Sequence, residues 1–376
     1  MLDELNLTTL KEIAPTVAQD NYFLGAPFLM ALRAKGRFIP FNGGAEMQTN
    51  FLFRGLPTQA YAQGAEFNPV KRQILASISH VPKYYVGLIT EFLEDLEVLN
   101  TGPLAVFSII ENDLAALYMS LTSRIAIEIQ KNGQNLGAGS LDRSLAMNGM
   151  VEALNDGVAP GFDGNVYSSY GGQSRSEVGS ALNSVPKYLG KANGATGKID
   201  FIRIMEAYTE CCIGSAEPDM FIGTKAIWSH IYNLMESKQR VEMVKDPYFG
   251  VQGAIKFMNM VIMKDDLLLS ARYGQSNSDY GDFTTSTFTM PSGTMAASFS
   301  DTPPSSGTTV TVGETAYMLN TNTWDIRIKN SRLFGGGFTG FMPSPTNTRV
   351  VGRTHLAINL RCRAPRLNKL FYGHGA

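Results

Sequence analysis

The chain has 376 residues, 44% of them apolar, and its 32 Lys and Arg against 33 Asp and Glu leave a net charge of −1. That balance excludes a nucleic-acid binder that works through overall basic charge, and the length suffices for one large domain or two to three ordinary ones. The charged fraction of 17% is below the roughly 25% of an average soluble domain, which fits either surface that meets other protein or a plain uncharged surface.

Residues 1–41 read as an N-terminal arm. TTLKEIAPTVAQ can hold one short helix broken at Pro15, and GRFIPFNGG reads as extended chain. The start has neither a basic n-region nor an apolar h-region, so it does not read as a signal peptide. Residues 42–78 read as a long hairpin. Met47, Thr49, Phe51 and Phe53 alternate with Glu46, Gln48, Asn50 and Leu52, GLPTQ marks a turn, and Ile74, Ala76 and Ile78 continue extended. A hairpin alone is marginal in water, so this one needs another surface.

From Pro103 to Lys131 the pattern turns helical, with Leu114, Leu117, Tyr118, Leu121 and Ile125 at i, i+3, i+4, i+7 spacing. Pro103 suits the first turn, and Gly133 and Gly137 suit the end. Roughly 28 residues would make a rod of about 42 Å. NGMVEALND reads as a short helix. DFIRIMEAYTECC reads as an amphipathic one, capped by Asp200, with Phe201, Ile204, Met205 and Tyr208 inward. PDMFIGT reads as a buried strand. Thr224 is the expected cap of a helix that turns Ile227, Trp228, Ile231 and Leu234 inward, and AIKFMNMVIMKD reads as another buried strand.

Residues 274–313 change character: roughly 25 of these 40 are Ser, Thr, Gly or Pro, too polar to build a core of their own. They read as an exposed insertion with some β-character. It separates VIMKDD from AYMLNTNTWDIRIKN, a two-residue rhythm read as one strand beside it in one sheet. VVGRTHLAINLRCRAP reads as a late strand. Charge is asymmetric here. Tyr273–Ile326 holds Asp279, Asp282, Asp301, Glu314 and Asp325 without any Lys or Arg, and Arg327–Ala376 holds nine Lys and Arg without any Asp or Glu. Such blocks suggest pairing between segments or between subunits, or two solvated faces.

Motifs for chemistry are sparse. Cys211, Cys212 and Cys362 are spaced for neither a disulfide framework nor zinc. His80, His230, His355 and His374 show no ligand spacing in the sequence. Gly335, Gly337 and Gly340 form a dinucleotide-like string, but Pro343 and Pro345 follow where a helix is needed. Asp265 and Asp266 read as a strand-ending turn rather than a carboxylate pair. No apolar run reaches the ~18 residues of a membrane span.

The order of parts, an arm, a long hairpin, a rod helix and a mixed domain with a late return strand, resembles the Hong Kong 97-type major capsid protein of tailed phages. YAQGAEFN before EFLEDLEVLNTG is similar to that family's hairpin leading into its spine helix. YGGQSRS, EPDMFIGTKAIWSHI, AYMLNTNTWDIRI and NLRCRAPRLNKLFYG resemble further family strings in order, from about residue 30 onward. The resemblance implies an α+β capsid fold: N-terminal arm 1–41, extended loop 42–78, P domain with spine helix 79–139, A domain 140–345 and C-terminal P-domain strand 346–376.

It also implies a structural, non-enzymatic subunit that needs no cofactor or metal. Such a subunit assembles with copies of itself in hexamers and pentamers, and scaffolding, portal and cement proteins are the expected partners. It encloses double-stranded DNA without reading its sequence, away from membranes, in a virion capsid built in the host cytoplasm. Phe51, Phe53, Arg54 and Tyr61 are the expected contact residues of the loop, although Phe51 and Phe53 could equally pack within their own subunit. The loop has no Lys between Gly43 and Val70, which implies a shell without the family's covalent Lys–Asn link. An encapsulin-type compartment, an enzyme with an unrecognised site and a tail or decoration protein are the alternatives.

Overall fold

In a computed structural model the described residues are 26–66, 71–92, 109–134, 143–190, 197–236, 243–244, 254–265, 267–268, 287–291, 305–329, 338–343 and 348–375. The larger elements run in chain order. Helix α1 (Pro27–Ala34) and β1 (Phe38–Phe41) come first, then the hairpin strands β2 (Met47–Leu52) and β3 (Leu75–His80), β4 (Lys83–Phe92) and α2 (Ile109–Glu128). Next are β5 (Lys187–Tyr188), α3 (Phe201–Cys211), β6 (Met220–Gly223), α4 (Lys225–Glu236), β7 (Met243–Val244), β8 (Ala254–Phe257) and β9 (Met260–Lys264). The last are β10 (Glu314–Leu319), β11 (Trp324–Lys329), β12 (Phe338–Pro343), β13 (Arg349–Cys362) and β14 (Lys369–His374).

Two sheets organise these strands. In the first, β13 runs between β4 on one side and β11 and β12 on the other, and β1 joins β11 in parallel. The second has seven strands, in the order β5-β14-β10-β6-β9-β8-β7. Its central strands read as continuous apolar runs because both faces are covered. Tyr317, Leu319, Met220, Ile222, Leu370 and Tyr372 face the main core. Ala316, Met318, Phe221, Ile262 and Phe371 face the layer holding Ile204, Ala207, Ile227 and Ile231 of α3 and α4.

The two sheets meet at a pair of crossovers, 320–323 and 363–368. Asn368 fills its whole hydrogen-bonding capacity there. Its Oδ1 accepts from Asn320 N at 2.7 Å and Trp324 Nε1 at 2.9 Å, and its Nδ2 donates to Thr323 Oγ1 and Ala364 O, both at 3.0 Å. Thr321 N donates to Asp219 Oδ1 at 2.9 Å, and Lys35 Nζ pairs with the same carboxylate, tying α1 to the junction.

Several expectations change in the fold. AYMLNTNTWDIRIKN is two strands rather than one. Asn320 accepts from Asn322 N and caps a 3-10 turn at Thr321–Thr323, after which the chain enters the other sheet. β10 and β9 share a sheet, but β6 lies between them. Residues 26–41 are not an arm: Phe28, Leu29, Ala31 and Leu32 are buried, and β1 is a sheet strand. β11 and β12, inside the expected A domain, belong to the sheet of β4 and β13. Residues 346–376 do not form one strand. Pro365–Leu367 turn the chain, and β14, buried throughout, enters the seven-stranded sheet.

Local expectations divide in the same way. Asp200 caps α3 by accepting from Arg203 N, but Met205 is half exposed and Ala207 and Cys211 take inward positions instead. The Thr224 hydroxyl is buried without a partner and makes no cap. AIKFMNMVIMKD is a hairpin of β8 and β9, turned through Met258 at φ 54°. Pro103, Gly137 and most of residues 274–313 lie outside the described residues. Thr287–Thr289 pairs with Thr309–Thr311, and Met290, Val310 and Val312 join the main core, so this segment borrows a core it cannot build.

Candidate assembly surface

The hairpin strands pair with Met47 opposite His80, Thr49 opposite Ile78 and Leu52 opposite Leu75. Its inward side rests on the chain's own core through Phe51, Phe53, Ala76 and Ile78. The turn at 170–174 supports the base: Ser79 N donates to Gly171 O at 2.9 Å and Gln173 Nε2 to Ser77 O at 2.9 Å. Gly171 has φ +55°, and a Cβ there would meet Ile78 at 2.8 Å, so a side chain is excluded twice over.

Of the four expected contact residues, Phe51 and Phe53 are half-buried against their own subunit. Arg54 is exposed, donates to Glu177 O at 3.0 Å and lies over the Phe53 ring at 5.2 Å. Tyr61 is 69% exposed. Residues 54–66 are exposed throughout and carry no helix or strand; Leu56 is exposed within this segment and Leu52 at the end of β2 just before it.

A second apolar surface was not singled out from the sequence. β4 buries Gly87 and Ile89 on one face, where Leu117 of α2 packs so closely that a Cβ at Gly87 would lie 2.5 Å from it. The other face exposes Tyr84, Val86, Leu88 and Phe92, with Met342 of β12 also exposed. Arg353 and Arg349 of β13 pair in register with Leu88 and Phe92, and the Arg349 guanidinium lies 5.2 Å from the Phe92 ring centre. The signal was legible: KYYVGLITEF is apolar at both parities, the pattern of a strand covered on two sides.

The charge asymmetry resolves partly within the chain. Asp325, fully buried, is met by Arg361 at 2.7 Å, Arg363 at 3.1 Å and Arg37 at 3.8 Å, and Lys369 pairs with Glu210 at 2.5 Å. The Arg361 guanidinium also donates to Thr49 Oγ1, linking this cluster to the hairpin base. Among the described residues no three His, Cys, Asp or Glu form a metal-binding group, and no helix is long and apolar enough to cross a membrane. The fold does bring His230 and His374 together, ring centres 5.1 Å apart, with His230 Nε2 bonded to Ile199 O at 3.1 Å. Gly340 lies within strand β12, so the glycine string is followed by strand rather than helix.

His80 ends the hairpin, buried against the Tyr170 ring, and both its ring nitrogens lack partners. Burial first, then the charge on Arg361, pushes its pKa down from 6.5 to about 4. The unfolded chain therefore takes up this proton before the folded one. The stabilisation is complete above pH 6.5 and declines as pH falls toward 4. Between pH 7 and pH 5 this group alone is expected to remove about 2 kcal/mol of stability. Urea unfolding of the purified chain at the two pH values measures it. His80→Phe should flatten the response, and an unchanged response would show that the loss arises elsewhere.

No family model matches the sequence, and no curated protein does. Solved structures match over nearly the whole chain. The subunit of the cyanophage A-1(L) capsid aligns with TM-score 0.59 at 10% identity, covering 94% of each chain. The capsid of a native GTA particle aligns with TM-score 0.52 at 8% identity, covering 91% of this chain and 89% of that one. The SrpI encapsulin of Synechococcus elongatus aligns with TM-score 0.51 at 9% identity, covering 90% and 85%. With its two sheets, rod helix and projecting hairpin, the chain has the Hong Kong 97-type fold that phage capsid and encapsulin subunits share.

Proposed function

We propose that this chain is a major capsid protein, a structural subunit that assembles with its own copies into the icosahedral head shell around a tailed phage's double-stranded DNA. The observation that carries the reading is the end-to-end fold likeness to the cyanophage A-1(L) capsid subunit. Two exposed apolar surfaces on one chain, the segment 54–66 and the outer face of β4, add support. Contiguous exposed apolar surface marks interaction sites. On this reading residues 42–78 are the extended loop that lies over a neighbour. The sheet of β4 and β13 with α2 as spine is the P domain, and the seven-stranded sheet with α3 and α4 is the A domain. Hexamers and pentamers, a scaffolding protein, a portal, cement proteins, and assembly in the host cytoplasm into a virion follow from it. Modest energies per contact suffice in a closed shell because each contact repeats.

Negative-stain electron microscopy of the chain, expressed with and without the products of its neighbouring genes, tests the proposal. Closed shells or uniform capsomer rings are expected, and a dispersed monomer under both conditions would remove the reading. The likeness to the SrpI encapsulin supports a second reading, a compartment subunit around a cargo enzyme. Protein cargo rather than DNA inside purified shells would favour it.

Within the main reading, Arg54→Glu is expected to abolish shells and leave a folded subunit. The arginine is exposed, and among the described residues its guanidinium donates to Glu177 O at 3.0 Å, so folding should lose no more than about 1 kcal/mol. Circular dichroism and microscopy of the same preparation check both halves. Normal particles from this variant would show that Arg54 is not a contact residue.

A further inference from the structure

Asp325 is surrounded by more positive charge than it can neutralise. Besides Arg37, Arg361 and Arg363, the same strand carries Arg327 two residues on, on the same side of the sheet. Burial, then the neighbouring Arg361, holds the Arg327 guanidinium below its ordinary value, against the pull of Asp325. Among the described residues, four guanidiniums and one carboxylate leave an excess of three positive charges. The other described groups in contact with them, Asn322, Thr49 and His80, are neutral. Asn322 accepts from Arg37 at 3.1 Å through its side chain and from Arg363 at 2.8 Å through its carbonyl. Thr49 accepts from Arg361, and His80 stands beside Arg361 as a neutral ring. Among the described residues no second carboxylate contacts these arginines.

The cluster has an inside and a mouth. Arg361 and Asp325 are sealed in, while the Arg363 side chain is 40% exposed and that of Arg37 is 26% exposed. Asn322 bridges these two, so both guanidiniums are held in place before anything binds, and a planar guanidinium fork suits an oxyanion. We propose that Arg37 and Arg363 form the mouth of an oxyanion site that takes a phosphate group, as the free ion or on a nucleic-acid backbone. Asp325 holds the two forks from below, and the excess positive charge of the cluster supplies the attraction. The site does not depend on the capsid reading, since it needs only this chain's own residues.

Equilibrium dialysis of the purified chain against radiolabelled inorganic phosphate, at constant ionic strength set with sodium chloride, tests the site. Saturable binding near one ion per chain is expected. It should weaken about tenfold or more in Arg363→Gln and in Arg37→Gln, and stay unchanged in Lys264→Gln, an exposed lysine on another sheet. A parallel arm titrates a short DNA duplex against salt. A salt slope in Arg363→Gln shallower by about one charge assigns the site to backbone phosphate, and saturation in the phosphate arm alone assigns it to the free ion. Wild-type chain that shows no saturable binding in either arm overturns the proposal even where a variant fails to fold. Equal affinity in wild type and both arginine variants overturns it as well.

Discussion

Trp324→Ala is expected to destabilise the subunit by about 3–5 kcal/mol, the range for emptying a fully buried aromatic site. A typical domain has ~5–15 kcal/mol in total, so little folded material should survive. Two losses combine. The indole is fully buried and meets Phe28 edge to face, ring centres 5.8 Å apart at 89°, and its Nε1 donates to Asn368. The cavity would open where the two sheets and α1 meet, and the neighbouring strands have no slack to close it. Trp324→Phe separates the terms. It keeps most of the ring volume and removes the hydrogen bond, and Asn368 Oδ1 still accepts from Asn320 N, so about 1–2 kcal/mol should be lost. Urea unfolding of the unassembled subunit, with soluble yield as a second readout, checks both. An alanine variant within 1 kcal/mol of wild type would mean the junction repacks freely.

Asp325→Ala should cost a similar amount for a different reason. Removing one partner of a buried ion pair typically costs about 3–5 kcal/mol, because the remaining charge is left without compensation. Here Arg361, almost fully buried, would keep only Thr49 as a partner among the described residues, with Arg363 and Arg37 close by. Asp325→Asn should be nearly as harmful, since shape is retained but charge is not. Combining Asp325→Ala with Arg361→Met should recover much of the loss, and a double mutant as unstable as the sum of the singles would exclude the mechanism. Arg361→Met alone leaves the carboxylate paired with Arg363 and Arg37 and should be the milder lesion.

Legibility in the sequence followed how local the determinants are. The hairpin strands could be read because alternation at Met47–Phe53 and at Ala76 and Ile78 is sufficient to show which residues share a face. α3 could be read because Asp200 and the apolar stripe sit within one short window. The break between β10 and β11 could not, because a capped 3-10 turn leaves the two-residue rhythm almost undisturbed, and what sends the strands apart is Asn368, 44 residues beyond Trp324. α1 was missed because an eight-residue helix owes its stability to packing against Trp324 rather than to a local signal. Of the candidate contact residues, Arg54 and Tyr61 emerged exposed. Phe51 and Phe53 face their own core, and an aromatic residue reads the same in a sequence whether it is covered by its own chain or by another. The outer face of β4 was not legible as exposed because a strand apolar at both parities reads as covered on both sides.

The position of β14 bears on how the chain is made. Residues 369–374 sit between β5 and β10 inside the seven-stranded sheet, and β1 pairs with a strand almost 290 residues later in the sequence. Neither sheet can close on a growing chain until residues this distant have left the ribosome. Long-range strand pairings of this kind form slowly and leave strand edges open in the meantime. Translation therefore acts as a timer for folding: until residues 324–374 have emerged, β1 and β5 wait without the strands they pair with.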